Sequence, residues 1–236
     1  MILLDLHTHS IASGHGSSDT ITHMADVASQ RGLQILGVSD HGPATPGSSS
    51  ISYFQNLCLA PESRYGVRLL YGAEVNILDF NGLTDLSPDV LKHLDYAIAS
   101  MHLPTRKPGS LAENTRGYIH AMKISSVKII GHCNDGRYPV DYMELAKASR
   151  DYHVLLEINE LSLSPQGYRK DSEKNCQLLL EACSKYNLPI LLSSDSHGSK
   201  NIGNMPYAIN LTKQMQFTDS LILNYDLQAF SAFMEA

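Results

Sequence analysis

The sequence of 236 residues lacks the features that define several common classes of protein. It contains no block of basic residues and its formal net charge is −6, which argues against nucleic acid as a stable partner. No apolar run approaches the roughly 20 residues needed to cross a bilayer. Because Asp5 and His7 interrupt the apolar opening segment, we also expect no signal peptide and no membrane partner.

Cysteine is scarce and is not arranged for disulfides. None of the four cysteines belongs to a C-x-x-C pair. Cys176 and Cys183 lie seven residues apart with Leu179 and Leu180 between them, which is the spacing of a buried stripe on a helix. We therefore expect reduced, structural thiols and a cytoplasmic location, because disulfides are rare in reducing compartments.

Motifs of several enzyme classes are also absent. The sequence contains no G-x-S-x-G, H-E-x-x-H or G-x-x-x-x-G-K segment. No G-x-G-x-x-G fingerprint follows the first apolar run, which argues against a dinucleotide-binding fold. Cys58 and Arg64 have the C-x5-R spacing of cysteine phosphatases, but the residues between them lack the glycines that direct backbone N–H groups at phosphate.

The sequence does contain a repeating pattern of apolar runs and helical segments. Hydrophobic residues make up 43% of the chain and charged residues 18%, which is typical of a globular protein. Seven apolar runs are each followed by a helical pattern. The first run ends near Leu6, and the other six cover residues 33–38, 67–73, 95–99, 127–130, 154–158 and 189–192. This pattern predicts an α/β fold in which a parallel sheet is closed or nearly closed into a barrel, as one domain over residues 1–236. Residues 205–236 predict two further helices around a short apolar segment.

Histidines and acids follow the apolar runs. His7 and His9 come directly after the first run, and extended backbone would present both imidazoles to one spot because side chains alternate between faces. The loops at the carboxyl ends of barrel strands build active sites, so we expect the polar residues there to meet. The candidate metal ligands are His7, His9, His15, His41, Glu74, His102, His132, Asp195 and His197.

Nine ligands are too many for one ion. A catalytic zinc ion takes about three protein ligands and keeps one open position, so the set predicts two or three metals. Glu74 is the predicted bridge between ions because it has two oxygens and arrives from the middle of the barrel. Imidazole with carboxylate suits zinc, manganese or iron, and zinc is the metal that we expect.

These residues resemble the four motifs of the PHP superfamily, which is named for polymerase and histidinol phosphatase. The matching segments are Asp5 to Ser10, Ser39 to Gly42, Glu74, His102, Gly131-His132 and Ser194 to His197. Further segments are similar to the short, stand-alone YcdX-type metal-dependent phosphatases, namely Gly131 to Asp135, Leu156 to Asn159 and Arg169 to Cys176. Cys133 and residues 160–163 depart from that pattern in loops that we expect near substrate.

The resemblance implies a distorted (βα)7 TIM-like barrel, the PHP fold, with a trinuclear site for three divalent metal ions. The first ion would take His7, His9, Glu74 and Asp195. A second would share Glu74 and add His102 and His132. The third would take His15, His41 and His197.

The expected function is a metal-dependent phosphoesterase that hydrolyses a phosphomonoester of a small metabolite. A hydroxide bridging the two ions that share Glu74 would attack the phosphorus atom. Asp40 adjoins a ligand and is a candidate to orient it or to move a proton, with helix capping as the alternative. Asn159, Arg137 and Arg169 follow strand ends and are predicted to bind the small phosphorylated substrate.

Two other functions remain open from the sequence. An amidohydrolase-type barrel shares the opening H-x-H, but normally has a lysine at mid-barrel and an eighth strand with aspartate. A non-catalytic PHP module would serve as a binding domain, but such modules tend to lose ligands. The sequence leaves open the substrate, the choice between monoester and diester, the native metal, the general acid and the oligomeric state.

Overall fold

A computed structural model describes residues 1–235, so Ala236, the last residue of the predicted C-terminal segment, lies outside the described residues. The strands, in chain order, are β1 (Leu4–Asp5), β2 (Thr8–His9), β3 (Ile35–Val38), β4 (Ser63–Arg64), β5 (Val67–Asn76), β6 (Tyr96–Ser100), β7 (Val127–Ile130), β8 (Leu155–Asn159), β9 (Ile190–Ser193) and β10 (Ser196–His197).

The α-helices are α1 (Ile21–Gln30), α2 (Ile51–Asn56), α3 (Pro88–Leu91), α4 (Leu111–Ala121), α5 (Tyr142–Tyr152), α6 (Glu160–Leu163), α7 (Ser172–Lys185), α8 (Pro206–Gln214) and α9 (Leu227–Glu235). The sequence pattern predicts that α4 begins near Asn114, but it begins at Leu111. The reason is a capping box, in which Ser110 and Glu113 bond each other's backbone N–H groups and start the helix one turn earlier.

Seven strands form one parallel sheet in the order β1-β3-β5-β6-β7-β8-β9. Neighbouring strands of this sheet follow one another along the chain, so each connection leads to the next strand around the barrel. The prediction of a distorted (βα)7 barrel is confirmed. The short strand β4 adds an antiparallel pair at the edge of β5. Helices cover the outside, and Cys133, Cys176 and Cys183 are buried free thiols in the layer between sheet and helices, whereas Cys58 is exposed.

One buried side chain bridges the gap between the first and last strands. Asn224 donates to the carbonyl oxygens of Leu4 and Leu192 and accepts from the Leu192 N–H, all at 2.8–3.0 Å. Above this bridge, β2 pairs in parallel with β10, so that His9 lies opposite His197. The barrel is therefore nearly closed by an amide and a two-stranded ribbon, because β1 and β9 do not pair directly.

The half of the barrel interior nearer the amino ends of the strands, which we call the lower end, is apolar. One large ring fills it. Tyr96 is fully buried and its hydroxyl donates to the carbonyl oxygen of Leu6. A Cβ atom on Gly37 or Gly72 would lie 2.3–2.7 Å from the Tyr96 side chain, so both positions require glycine. The interior side chains around it are Leu4, Leu6, Ile35, Leu70, Ile98, Ile129, Leu155, Leu191, Leu223 and Phe230.

The strand that carries Glu74 is longer than the sequence pattern predicts. The apolar run predicts a strand that ends at Ala73, but β5 continues to Asn76, and Glu74 lies within it. Its backbone is paired with Ile98 of β6 on one side, and with His41 on the other. In residues 1–235, no helix has both the length and the apolar character needed to cross a membrane.

Candidate metal centre

His7 and His9 face the same site from the end of the first strand. His7 follows β1, His9 ends β2, and both side chains are fully buried. Their ring centroids are 5.1 Å apart. The H-x-H segment therefore brings two imidazoles together above the barrel.

Glu74 lies at the centre of the cluster and is fully buried. Its Oε1 atom lies 3.4 Å from His7 Nε2, 3.2 Å from His102 Nε2 and 2.8 Å from His132 Nε2. Its Oε2 atom lies 3.6 Å from His9 Nε2 and 2.7 Å from His41 Nδ1. One carboxylate thus touches nitrogens from five histidines.

Asp195 joins the two opening histidines. Its Oδ1 atom lies 3.3 Å from His9 Nε2 and 3.7 Å from His7 Nε2. The backbone φ of Asp195 is 52° and that of His132 is 28°, a region that residues other than glycine adopt at a conformational cost. Strained backbone of this kind is concentrated at functional sites, where the surrounding structure holds it.

His15, His41 and His197 form a third part of the cluster, nearer to solvent. The His15 ring centroid lies 4.8 Å from that of His41 and 5.1 Å from that of His197. His9 connects this part to the rest, since its ring stacks on both His41 and His197 at 4.3 Å. The nine predicted ligands therefore form one continuous group.

The donor atoms fit divalent cations. Two ligands held about 2.0–2.1 Å from a tetrahedral zinc ion lie roughly 3.3 Å apart, and several of the distances around Glu74 and Asp195 are close to this. Within residues 1–235, several buried nitrogen and oxygen atoms of the cluster lie close to one another without the geometry of a hydrogen bond, as a metal-binding set would; they are Nε2 of His7, His9 and His102, Nδ1 of His41 and Oε2 of Glu74. Three groups have ligand atoms that all lie within 4.8 Å of one another, namely His9–His41–His197, His7–His9–Asp195 and His41–Glu74–His102.

Opposite charges control the ionisation of the cluster. Burial opposes the charged form of Glu74, but His102, His7 and His41 outweigh it and hold the pKa of Glu74 well below its usual range. Burial likewise opposes protonation of His7, yet the carboxylates of Glu157 and Glu74 raise its pKa well above the usual value. Burial and the nearby Arg169 lower the pKa of His132 to about 4, so this ring is neutral and able to bind a metal.

Glu157 contacts two histidines of the cluster, although the sequence pattern predicts no role for it. It is fully buried on β8, and its Oε1 atom lies 2.6 Å from His7 Nδ1 and accepts a hydrogen bond from Ser193. Its Oε2 atom accepts from the His132 N–H at 2.5 Å and from Asn159 Nδ2 at 3.1 Å. The signal was a single acid inside the apolar strand segment Leu155 to Ile158.

Asp40 lies behind the histidines rather than among them. Its carboxylate accepts from the Ser10 N–H and hydroxyl, from the Ser13 hydroxyl at 2.7 Å and from the Tyr53 hydroxyl at 2.6 Å. Ser13 Oγ in turn lies 2.9 Å from His9 Nδ1. Asp40 therefore reaches His9 through Ser13.

The predicted substrate-binding residues have partners within the protein. Asn159 Nδ2 and Arg169 Nη1 each donate to Asp195 Oδ2 at 3.1 Å, and Arg169 is almost fully buried. Arg137 is nearer the surface, where it forms an ion pair with Asp135 and its guanidinium lies 5.1 Å from the centre of the Tyr168 ring. Asn159 and Arg169 thus adjoin the cluster, whereas Arg137 is partly exposed and lies near the same Tyr168 ring as Arg169.

The fold and the donor set together define a metal-binding α/β-barrel protein whose functional residues lie at the carboxyl ends of the strands. The profile of the PHP domain matches residues 5–201. The chain belongs to the PHP family.

Relatives similar over nearly their whole length support this assignment. A probable phosphatase from Clostridium novyi (strain NT) is 37% identical over 234 residues, which is 99% of this chain and 95% of that protein. A probable phosphatase from Thermoanaerobacter sp. (strain X514) is 38% identical over 235 residues, with the same coverage.

A solved structure shares the fold. The histidinol phosphate phosphatase from Lactococcus lactis subsp. lactis Il1403, solved with Zn, L-histidinol and phosphate, covers 92% of this chain and 95% of its own with a TM-score of 0.63. Its sequence identity to this chain is 20%, so the likeness concerns the fold.

Proposed function

We propose that this chain is a metal-dependent phosphatase that hydrolyses a phosphomonoester of a small metabolite. The observation that carries the proposal is Glu74, a fully buried carboxylate within 3.6 Å of nitrogens from five histidines. Family membership and the names of the full-length relatives support the reaction class, hydrolysis of phosphoric esters. The zinc and phosphate bound by the Lactococcus lactis protein agree with this chemistry.

We further propose that the cluster holds three divalent cations, with zinc as the first choice. The ligand sets are His7, His9, Glu74 and Asp195; Glu74, His102 and His132; and His15, His41 and His197. The contacts among these nine side chains support a site for several ions, and the ligand atoms of His7, His9 and Asp195, which belong to one proposed set, lie within 4.8 Å of one another. When bound, such ions would lower the pKa of water to near neutrality and offset the negative charge of the phosphoryl group.

The surrounding residues fix the ligands in position. Glu157 holds Nδ1 of His7, which leaves Nε2 directed at the cluster. Asp40 accepts a hydrogen bond from the Ser13 hydroxyl, and Ser13 Oγ contacts Nδ1 of His9, which leaves Nε2 of His9 directed at the cluster. Carboxylates behind metal-binding histidines set the ring orientation and raise the basicity of the ring, so we assign Asp40 and Glu157 as positioning residues.

The three predicted substrate-binding residues divide into two roles. Asn159 and Arg169 bond the oxygen of Asp195 that points away from the histidines, so we propose that both position this ligand. Arg169 also adds positive charge beside the cluster, which favours an anionic substrate. Arg137 is partly exposed and lies near the same Tyr168 ring as Arg169, and we propose that it contacts the phosphorylated substrate.

Metal analysis of the untreated protein, combined with hydrolysis of phosphomonoesters, phosphodiesters and amides, tests the proposal. We expect two to three equivalents of divalent metal per chain, phosphate release from monoesters, and loss of activity with a chelator that added zinc or manganese reverses. Amide cleavage without phosphate release would instead indicate an amidohydrolase-type barrel. Protein that stays inert after reconstitution with metal would indicate a non-catalytic binding module.

A further inference from the structure

A pocket of about 420 Å³ opens beside the metal centre, and the proposed phosphatase function assigns no ligand to it. Asp195 and His197 line it together with Gln166, Lys200 and Tyr207. This volume lies within the range of small-molecule sites, which is about 300–1,000 Å³. Its position gives the organic part of a phosphomonoester a place next to the proposed metals.

The carboxylates that line this pocket already have partners. Glu160 on α6 accepts the N–H groups of Tyr207 at 3.2 Å and Ala208 at 2.8 Å, and so caps the start of α8. Asp195 Oδ2 accepts from Asn159 and Arg169, while Oδ1 faces histidines. Neither acid is free to pair with a cationic group on a ligand.

Lys200 is the cation that lines the pocket, and its side chain is exposed. In the part of the chain that the structure describes, no carboxylate oxygen lies within 4.0 Å of its ammonium group. Its backbone, by contrast, is firmly held. Arg31 Nη2 donates to the Lys200 carbonyl at 2.8 Å, and the hydroxyl and N–H of Ser199 each donate to Asp19 at 2.7 Å.

An unpaired ammonium on a fixed backbone is suited to an anionic ligand, because only the lysine side chain has to be ordered when the ligand binds. A ligand with its own ammonium group would meet a like charge in this pocket and no free acid. Amide and hydroxyl side chains, among them Gln166, Asn204 and Tyr207, supply hydrogen-bonding groups around it.

We infer that this pocket binds a leaving-group alcohol that carries a second anionic group, and that Lys200 selects for that group. The inference rests on the proposed phosphatase function and adds a substrate class to it. Phosphomonoesters of acidic alcohols are then better substrates than those of neutral alcohols, and those of amino alcohols are the poorest.

Matched phosphomonoesters test the inference with the metal-loaded enzyme. We expect kcat/KM to decrease in the order 3-phosphoglycerate, glycerol 3-phosphate, phosphoethanolamine. The Lys200→Gln change should lower kcat/KM for 3-phosphoglycerate about tenfold, the size of one hydrogen bond to a charged group, and leave glycerol 3-phosphate unchanged. The Lys200→Glu change should reverse the preference toward phosphoethanolamine.

Lys213→Gln is the matched control, since Lys213 is an exposed lysine on α8 that does not line the pocket. It should leave all three values of kcat/KM unchanged. Equal kcat/KM for the three substrates, or an equal loss for all of them in Lys200→Gln, would overturn the inference while leaving the phosphatase proposal intact. The kcat/KM for 1,3-propanediol bisphosphate, compared with that for 3-phosphoglycerate, shows whether the pocket prefers a phosphate or a carboxylate as the second anionic group.

A binding measurement keeps the two proposals separate. Saturation-transfer NMR with glycerate, glycerol and ethanolamine, the alcohols without phosphate, reports on the pocket even if no phosphomonoester is hydrolysed. We expect a signal from glycerate that weakens in Lys200→Gln and persists in Lys213→Gln. Binding of glycerate that is unaffected by Lys200→Gln, or absent from the wild type, would contradict a site for anions at Lys200.

Discussion

The two ends of the barrel interior are built by the same strands and have opposite character. On β8, Leu155 packs among apolar side chains, whereas Glu157, two residues later on the same face, binds His7 and His132. On β5, Leu70 belongs to the apolar end and Glu74 to the metal centre. One strand thus serves a packed core over its first residues and a polar site over its last.

The contrast between the two ends of the barrel indicates which residues stabilise the fold and which serve the function. The lower end gains free energy by removing apolar surface from water, at about 25 cal/mol per Å². The upper end, at the carboxyl ends of the strands, buries acids and imidazoles, which is unfavourable unless each charge has a partner. It also holds His132 and Asp195 in strained backbone. We therefore expect changes at the upper end to affect activity and metal binding, and changes at the lower end to affect stability.

The largest expected effect is at Glu74. Glu74→Ala removes the carboxylate shared by five histidines, so we expect phosphatase activity to fall at least about 1000-fold with loss of bound metal. The fold should persist because the lower end is unchanged. Turnover, metal content and circular dichroism measure the three quantities. Substantial activity in this variant would mean that Glu74 does not lie at the catalytic centre.

Leu155→Ala is the counterpart at the lower end. It removes a fully buried side chain and leaves a cavity, so the free energy of unfolding should fall by about 2–5 kcal/mol. Turnover per folded molecule should match the wild type. Denaturant unfolding and active-site-normalised kinetics test this together. A variant with normal stability but reduced kcat would contradict the division between the two ends.

Glu157→Gln sharpens the comparison, since Glu157 follows Leu155 on one face of β8. The charge behind His7 is lost while the side-chain shape is kept, so metal affinity should fall about 10–100-fold. Excess metal should restore activity, which a merely structural role would not predict. Glu181→Gln, at an exposed position of α7, is the control and should leave metal affinity unchanged. Activity that excess metal fails to rescue would argue against a positioning role.

The smallest effect concerns the pH dependence of stability. Burial opposes ionisation of Asp135, but the hydrogen bonds from Arg137 outweigh it and hold the pKa of Asp135 below its usual value. A carboxyl group with a lowered pKa stabilises the fold above its unfolded pKa of about 4, and this contribution is lost as the pH falls further.

Asp135→Asn should therefore lower the free energy of unfolding by about 1 kcal/mol at pH 7, and the difference from wild type should shrink toward pH 3. The loss from Leu155→Ala should instead stay constant over the same range, because no charge is involved. Urea unfolding at a series of pH values compares the two. A constant difference for Asp135→Asn would mean that its ion pair with Arg137 does not stabilise the fold.

Much of the fold was predictable because local pattern and local chemistry agree. Each apolar run between turn residues had to be buried, and its alternation with helical segments indicated a parallel barrel. The clustering of the candidate ligands was predictable because the histidines just beyond buried strands share one end of the barrel. His15 is the exception, since it stands in an exposed loop beyond β2 and joins the cluster through contacts with His41 and His197.

Other features depend on residues that are distant in the sequence. Asn224 bridges β1 and β9, yet it looks like an ordinary loop residue 32 positions beyond Leu192. Glu157 is 150 positions from His7, and nothing near it in sequence indicates that partner. The strand limit at Ala73 was wrong because pairing with Ile98 and His41 extends β5 past the apolar run.

The sequence by itself determined which side chains lie near the carboxyl ends of the strands, because the alternation of side chains along a strand and the order of apolar runs are local properties of the chain. Only the tertiary structure decided which of them touch, since contact depends on how the barrel closes. That closure turned Glu157 into the partner of His7 and left Lys200 unpaired beside the metal centre, through distances that no local pattern encodes.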